Sequence, residues 1–302
     1  MSEFHQFIKA VGTGPKGNRD LSFEESKIAM DMILSGKASQ NQIAAFLIGW
    51  RLKPETIEEY RGALESIHEK TQGRIEDQDS FELGFPFDGK NDSPYLFALT
   101  AKLLKKFSMK IVVTGDYRVP SKGGVTVKEI MDKIGPIDNV EYFDRENYLP
   151  ELSRLHSLRN DLGLRCAFNT LEKFSGIKKS KFGATGVFHK PYVAKYSEIF
   201  KDKLDRFMLV SSNEGGPELY KKGKVWVVTE GEMEELSTDP KDFGINLSGF
   251  DKELSLEDML AITRDPDLDH MKMAALNSSL YLYTSGRCEK WQDCYELIIR
   301  QF

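Results

Sequence analysis

Apolar residues follow two different rhythms along this chain, and the change from one to the other divides it. In the first stretch they recur at helical spacing: Ile28, Met32 and Ile33, then Ile43, Phe46, Leu47 and Trp50, then Ile57, Tyr60, Leu64 and Ile67. Ser22-Phe-Glu-Glu25 and Thr56-Ile-Glu-Glu59 are capping boxes, in which a hydroxyl accepts from the N3 amide and a glutamate reaches back to the cap. Ser39 opens the second run, while Ser35-Gly36 and Pro54 supply stop signals. The pattern predicts three short helices forming a small bundle within residues 1–72. The polar segment Thr71 to Ser80 then reads as a linker or hinge.

Beyond the hinge, short apolar or β-branched runs alternate with helical stretches. Lys110 to Val113, Phe207 to Ser211 and Val225 to Val228 are the strand-like runs, and Phe81 begins another. This alternation predicts an α/β domain over residues 73–302, with a mostly parallel sheet and helices on its faces. Leu149 to Phe174 reads as helix, with Leu152, Leu155, Leu158 and Leu162 on one stripe, and is expected to return and pack with the helical domain. His270 to Tyr283 and Glu289 to Arg300 are the closing helices. Phe81 to Val113 has the strand, loop, helix, strand order of a βαβ unit, whose ligands bind at the carboxyl ends of the strands. The loops at Phe81 to Asn91 and Thr114 to Gly124 should therefore line one cleft.

Composition narrows the picture modestly. A 302-residue chain that is 40% apolar and 29% charged suits a globular protein of about two domains. A net charge of −5 and a pI near 5.7 give no global attraction to nucleic acid or anionic membrane. Cys166, Cys288 and Cys294 have no metal-site spacing and read as structural thiols in a reducing compartment. Met1 to Arg19 lacks an apolar core of signal-peptide length, and no apolar run is long enough to span a bilayer, so a cytoplasmic location with no membrane partner is expected.

Several groups carry candidate chemistry. Asp88 could position a ligand hydroxyl or a metal-bound water, or could simply form a turn with Gly89. Ser121-Lys122-Gly123-Gly124 offers hydroxyl, amides and a cation to a phosphate. Lys178, Lys179 and Lys181 precede Phe182-Gly183, and Lys102, Lys105, Lys106 and Lys110 cluster on and after the helix that follows the first loop. Such groups can track a phosphate backbone or merely solvate a surface. The acidic stretch Glu230 to Glu235 would repel polyanions. His156 and His189 read as structural, since no nucleophile is recognisable beside them.

Taken in order along the chain, several segments resemble the anthranilate phosphoribosyltransferase family. Leu21-Ser-Phe-Glu-Glu25, Ala44-Ala-Phe-Leu-Ile48 and Arg51-Leu-Lys-Pro-Glu-Thr56 are similar to its first three helices. Leu158-Arg-Asn-Asp-Leu-Gly-Leu-Arg-Cys-Ala-Phe-Asn169 resembles its arginine-bearing helix. Gly186-Val-Phe-His189 with Pro191-Tyr-Val193, and Ala274-Ala-Leu-Asn277 with Tyr281-Leu-Tyr283, resemble later motifs. The resemblance implies a small helical domain joined to a large α/β domain. It also implies a homodimer through the N-terminal helices, whose apolar faces exceed what three helices need internally. Arg159 takes the place of an arginine that contacts the aromatic acceptor; its alternative is a surface ion pair with Asp161 or Glu151.

The departures from that family are specific. Its catalytic G-T-G-G-D-G loop corresponds here to Gly84-Phe85-Pro86-Phe87-Asp88-Gly89, in which proline removes an amide donor and two phenylalanines crowd the backbone. Its phosphate-holding N-x-S-T falls on Pro94-Tyr95-Leu96-Phe97. Its lysine and histidine fall on Val113 and Thr114, and its metal-holding Asp-Glu pair on Pro217-Glu218. Magnesium remains possible, with Glu218 as a weak metal ligand. Phe87 to Asn91, Gly115 to Thr126 and Asn213 to Pro217 look like a divergent branch that lacks the glycine loop and includes nucleic-acid binders. The expectation is a protein that binds a phosphate-rich ligand through Asp88, Gly89, Asn91, Gly115, Ser121, Lys122 and Arg159 without making phosphoribosyl anthranilate. One alternative is a nucleic-acid binder using Lys105, Lys106, Lys178, Lys179 and Lys181. Another is a pentosyltransferase with a different donor or acceptor.

Overall fold

Capping fixes where the first helices begin. Ser22, Ser39 and Thr56 each accept from the N3 amide, and Glu25, Gln42 and Glu59 return the bond. A computed structural model describes residues 3–77, 79–120, 122–212, 214–247 and 252–302. It begins with α1 (His5–Gly12), followed by the three expected helices α2 (Phe23–Leu34), α3 (Gln40–Leu52) and α4 (Ile57–Lys70). α1 lacks a start signal in the sequence, because its cap, Phe4, offers no side-chain hydrogen bond. α2 packs against α4 so closely that a Cβ on Gly62 would stand 2.1 Å from the Phe23 carbonyl oxygen. Only glycine permits that approach.

The α/β part runs through β1 (Ser80–Gly84), α5 (Phe97–Leu104), β2 (Lys110–Gly115), α6 (Val127–Ile134) and β3 (Val140–Asp144). Residues 145–171 then form four short helices: α7 (Arg145–Tyr148), α8 (Pro150–Ser153), α9 (His156–Leu162) and α10 (Phe168–Leu171). The continuous helix expected for 149–174 is therefore broken. Leu149 takes an extended φ of −148° between α7 and α8, and Gly163, at φ +61°, ends α9. The leucine stripe is nevertheless used. Leu152, Leu155 and Leu158 are buried in the same apolar cluster as α1–α4, with Leu162 packed against it. α1 and this returning segment thus share one apolar cluster with α2–α4, while Ile28 and Leu52 stay exposed.

The chain continues through β4 (Phe182–Val187), α11 (Pro191–Phe200), β5 (Arg206–Ser211), β6 (Gly223–Thr229), β7 (Glu232–Thr238), α12 (Leu256–Arg264), α13 (Leu268–Thr284) and α14 (Trp291–Ile299). The seven strands lie in the order β3-β2-β1-β4-β5-β6-β7. The first five in that order are parallel, and β6 and β7 complete the edge antiparallel. The glutamate-rich stretch is the exposed edge strand β7, where charge protects an open edge. Chain direction across the sheet switches between β1 and β4. That is where an open parallel sheet presents a crevice at its carboxyl ends.

Two cysteines depart from the thiol expectation: Cys288 and Cys294 are joined in a disulfide across the start of α14, with Cα atoms 5.9 Å apart. Cys166 is free and buried, and burial pushes its thiol pKa up. No helix among the described residues is long and apolar enough to cross a membrane.

Candidate functional site

The two loops meet as expected. Lys90 and Val125 exchange backbone bonds of 2.9 Å, the Gly124 amide donates to the Asp88 carbonyl, and the Val119 amide donates to that of Phe87. Gly89 sits at φ +79°, where a Cβ would lie 2.2 Å from the Gly124 oxygen. Glycine here closes the turn that fastens one loop to the other, rather than baring an amide to a ligand. Ser121 lies outside the described residues.

One side of this loop pair is filled by the protein itself. Phe85, Tyr95 and Phe97 pack edge to face with centroids 5.0–5.9 Å apart. Beside them the fully buried Lys90 ammonium donates to Glu218 (2.9 Å) and to the Pro94 carbonyl (2.8 Å), with the Tyr95 and Tyr220 rings 4.8 and 4.6 Å away. Glu218 also accepts from the Leu96 amide at 2.8 Å and the Tyr220 hydroxyl at 2.7 Å. Its oxygens are spent on protein donors, so the residue proposed for magnesium does not fit a metal ligand. Among the described residues no three His, Cys, Asp or Glu side chains gather in a way that would hold a metal ion.

A neighbouring carboxylate supplies a second filling. The amides of Asn91 and Asp92 and the Ser93 hydroxyl all donate to Glu214, at 2.6, 2.9 and 2.5 Å. Burial works against the Glu214 charge, but Lys90 and these donors outweigh it and hold its pKa below the usual range. Asn91 therefore faces an internal anion. Gly115 ends β2 buried against Tyr142 and the backbone of Lys128, where a Cβ would find contacts of 2.9–3.1 Å, and it does not line the cleft.

Arg159 also lies elsewhere than the resemblance implied. It is buried, neither facing a ligand nor pairing with Asp161 or Glu151. Its guanidinium grips Glu172 at 2.7 and 3.0 Å, and Glu172 is shared with Arg145, which in turn binds Asp116. Burial raises the Glu172 pKa, but Arg159 and Arg145 outweigh it and leave the carboxylate ionised. This chain of charges braces α9, α10 and the second loop from behind.

The open side is a cavity of about 580 Å³ between the helical domain and the carboxyl ends of β1, β4 and β5. Asp88 and Lys122 line it, as expected. Arg165 holds Asp88 through both Nε (2.8 Å) and Nη2, and Arg51 from the end of α3 donates to the Arg165 carbonyl. Lys122 approaches Glu214 at 4.0 Å. Tyr60, Tyr192 and Tyr196 form aromatic walls, and Phe188 and His189 stand exposed at the rim with ring centroids 4.6 Å apart. His189 is thus part of the cleft surface, contrary to its structural reading.

Lys173 lies in the wall between the two domains and is only 5% exposed. Its ammonium donates to the carbonyls of Gly186 (2.6 Å) and Gly215 (3.0 Å), and no carboxylate of the described residues stands within ion-pair distance. Burial pulls its pKa down to about 7; nearby Asp88 opposes that shift and Arg165 adds to it. Nothing in the sequence singled out Lys173. Arg165, by contrast, stands in the same arginine-bearing motif as Arg159, six residues on, and it is Arg165 that lines the cleft.

The five lysines of the nucleic-acid expectation do not border this cavity. Lys178, Lys179 and Lys181 precede β4, at the opposite end of the strands, and pair with Glu141, Glu76 and Asp205. Lys105 pairs with Asp138, and Lys106 is exposed on the turn after α5. Local carboxylates neutralise most of that patch.

A helical bundle joined to a parallel sheet, with a cleft at the switch in strand order, defines the phosphoribosyltransferase-like architecture. The comparisons agree. The helical bundle domain of the glycosyl transferase family matches residues 5–71, and its a/b domain matches residues 125–300. An uncharacterized protein of Aquifex aeolicus is 32% identical over 91% of both chains, and an anthranilate phosphoribosyltransferase of Pelagibacter ubique is 27% identical over 93% of this chain and 91% of its own. Among solved structures, anthranilate phosphoribosyltransferase from Thermus thermophilus superposes with a TM-score of 0.80 at 18% identity, covering 99% of this chain and 93% of that one. The Saccharomyces cerevisiae protein in complex with PRPP and Mg gives 0.78 at 13% identity, covering 98% and 92%. The chain belongs to the glycosyl transferase family, as an anthranilate phosphoribosyltransferase-like protein.

Proposed function

We propose that this chain binds a phosphate-containing ligand in the interdomain cleft and does not make phosphoribosyl anthranilate. The observation that carries this reading is the filled loop. A donor diphosphate and its magnesium need bare amides and free carboxylates. Here Phe85 and its aromatic neighbours, the buried Lys90–Glu218 pair and the Glu214 carboxylate occupy that ground. Transfer through a ribosyl cation-like transition state needs stabilised leaving-group charge, and the groups that would supply it are committed to one another. The cleft beside them keeps a different set: Arg165, Arg51 and Lys122 as cations, with aromatic walls for a ring.

The test pairs an assay with a binding screen. Purified protein given anthranilate, phosphoribosyl diphosphate and magnesium is expected to release no diphosphate above background, whereas phosphate-bearing ligands such as ribose 5-phosphate or a nucleotide raise its melting temperature. Diphosphate release at ordinary enzyme rates would refute the reading. The exposed Phe188, His189 and Tyr192 beside these cations favour a second reading, single-stranded nucleic acid stacked along the rim. Its mark is oligonucleotide affinity that falls steeply with salt and is lost in Phe188→Ala.

A further inference from the structure

Two buried lysines serve this region, and only one of them faces space. Lys90 is saturated by Glu218, a carbonyl and a tyrosine hydroxyl. Lys173 lines the cavity together with Gly186 and Gly215, whose carbonyls are its two hydrogen-bond partners. Two acceptors use two of the three tetrahedral positions around the nitrogen. In a neutral amine the third is the lone pair, which makes a lysine a nucleophile. The charged groups around it are Asp88 from the first loop, Arg165 ahead of α10 and Glu172 beside it in the chain, and the ring of Tyr196, whose hydroxyl is bonded to Thr170, lies 5.3 Å from the nitrogen. Asp88 is held by Arg165, and Glu172 by Arg159 and Arg145, so neither is free to convert the amine into an ion pair.

We propose that Lys173 binds carbonyl compounds covalently: its amine condenses with the aldehyde of a phosphorylated sugar or similar phosphorylated aldehyde held in the cleft. This rests on the phosphate-binding reading above, since Arg165, Arg51 and Lys122 are the groups that would retain the phosphate. In the reaction the Nζ lone pair forms a bond to the carbonyl carbon, and the carbonyl π electrons move to oxygen. A proton passes from nitrogen to that oxygen to give the carbinolamine. A further proton from solvent lets the hydroxyl leave as water, and the product is a protonated imine. The imine nitrogen keeps one hydrogen, which the Gly186 carbonyl is placed to accept. The two carbonyl dipoles that solvate the ammonium also favour the iminium charge. Burial that brings the Lys173 pKa to about 7 keeps the reactive form populated at neutral pH.

The experiment is reductive trapping on the full chain. Protein is incubated with ribose 5-phosphate and cyanoborohydride, in parallel with unphosphorylated ribose, and the adduct is counted by intact mass and located by peptide mapping. We expect one adduct per chain, on Lys173, forming roughly tenfold faster with the phosphorylated sugar, as one charge-assisted contact would give. Its rate should reach half its maximum near pH 7. The adduct is absent from Lys173→Arg, which keeps the charge and donors and serves as the folded control, and from Lys173→Met. Adducts scattered over surface lysines, no adduct at Lys173, or labelling of Lys173 indifferent to phosphate each overturn the proposal. Thermal stabilisation by phosphate ligands with Lys173 unlabelled removes this inference and leaves the phosphate-binding reading standing.

Discussion

Lys90 and Lys173 stand in the same part of the molecule, and their surroundings are opposite. The Lys90 ammonium is neutralised by a carboxylate and roofed by rings, and the result is a plug. Lys173 has two carbonyl oxygens as hydrogen-bond partners, the Tyr196 ring 5.3 Å away and a cavity in front. A buried charge with a partner is structural, because removing one member strands the other. A buried lysine without a counter-ion gives up its proton more readily and becomes chemically available. The same residue type therefore closes the loop side of the cleft and activates the other side.

The comparison can be broken most forcefully on the plugged side. Glu218→Ala leaves Lys90 buried without its counter-charge and should cost about 3–5 kcal/mol in urea unfolding. A loss below 1 kcal/mol would mean that the pair does not hold the loop. Phe85→Ala should cost a comparable amount, about 3–5 kcal/mol, through the cavity it leaves.

Lys173 predicts a pH signature. Its folded pKa lies below its unfolded value of 10.5, so the folded state gives up this proton first and stability gains as pH rises from about 7 toward 10.5. Measured as the difference between wild type and Lys173→Met, the wild type should gain roughly 2 kcal/mol between pH 7 and pH 9. A flat difference would put Lys173 in the same class as a paired lysine. Arg165→Met releases Asp88 and removes a phosphate partner; affinity for ribose 5-phosphate, read by calorimetry, should fall roughly tenfold, or about 1.4 kcal/mol. The smallest change is expected at the rim. Phe188→Ala, at a site 58% exposed, should move stability by no more than about 0.5 kcal/mol while weakening any ligand that stacks there.

Local signals were read well in the sequence, and distant ones poorly. Capping boxes at Ser22 and Thr56 are contained within four residues, so their helices begin as expected. β4 shows no strand rhythm of its own and is marked only by the Gly186-Val-Phe-His189 resemblance, because Gly183 and Gly186 dilute its pattern, and those glycines admit close neighbours: a Cβ on Gly186 would lie 2.2 Å from the Gly216 oxygen. The plug was half legible. Phe85 and Pro86 announce that the amides are no longer bare, but the pairing of Lys90 with Glu218 spans 128 residues and leaves no local trace. Arg159 and Arg165 sit in one motif, and only the tertiary positions of Glu172 and Asp88 decide which arginine is buried and which lines the cleft. Lys173 draws its character from having carbonyls instead of carboxylates as its hydrogen-bond partners, a property that no sequence pattern records.

The Lys90–Glu218 pair also bears on how this chain can change over evolutionary time. Either residue replaced alone strands a charge in the interior, and freeing the amides of Asn91 and Asp92 requires Glu214 to leave as well. Baring the amides of this loop therefore demands several substitutions made together. The pair works as a lock: neither partner can be exchanged singly without stranding the other's charge inside the protein.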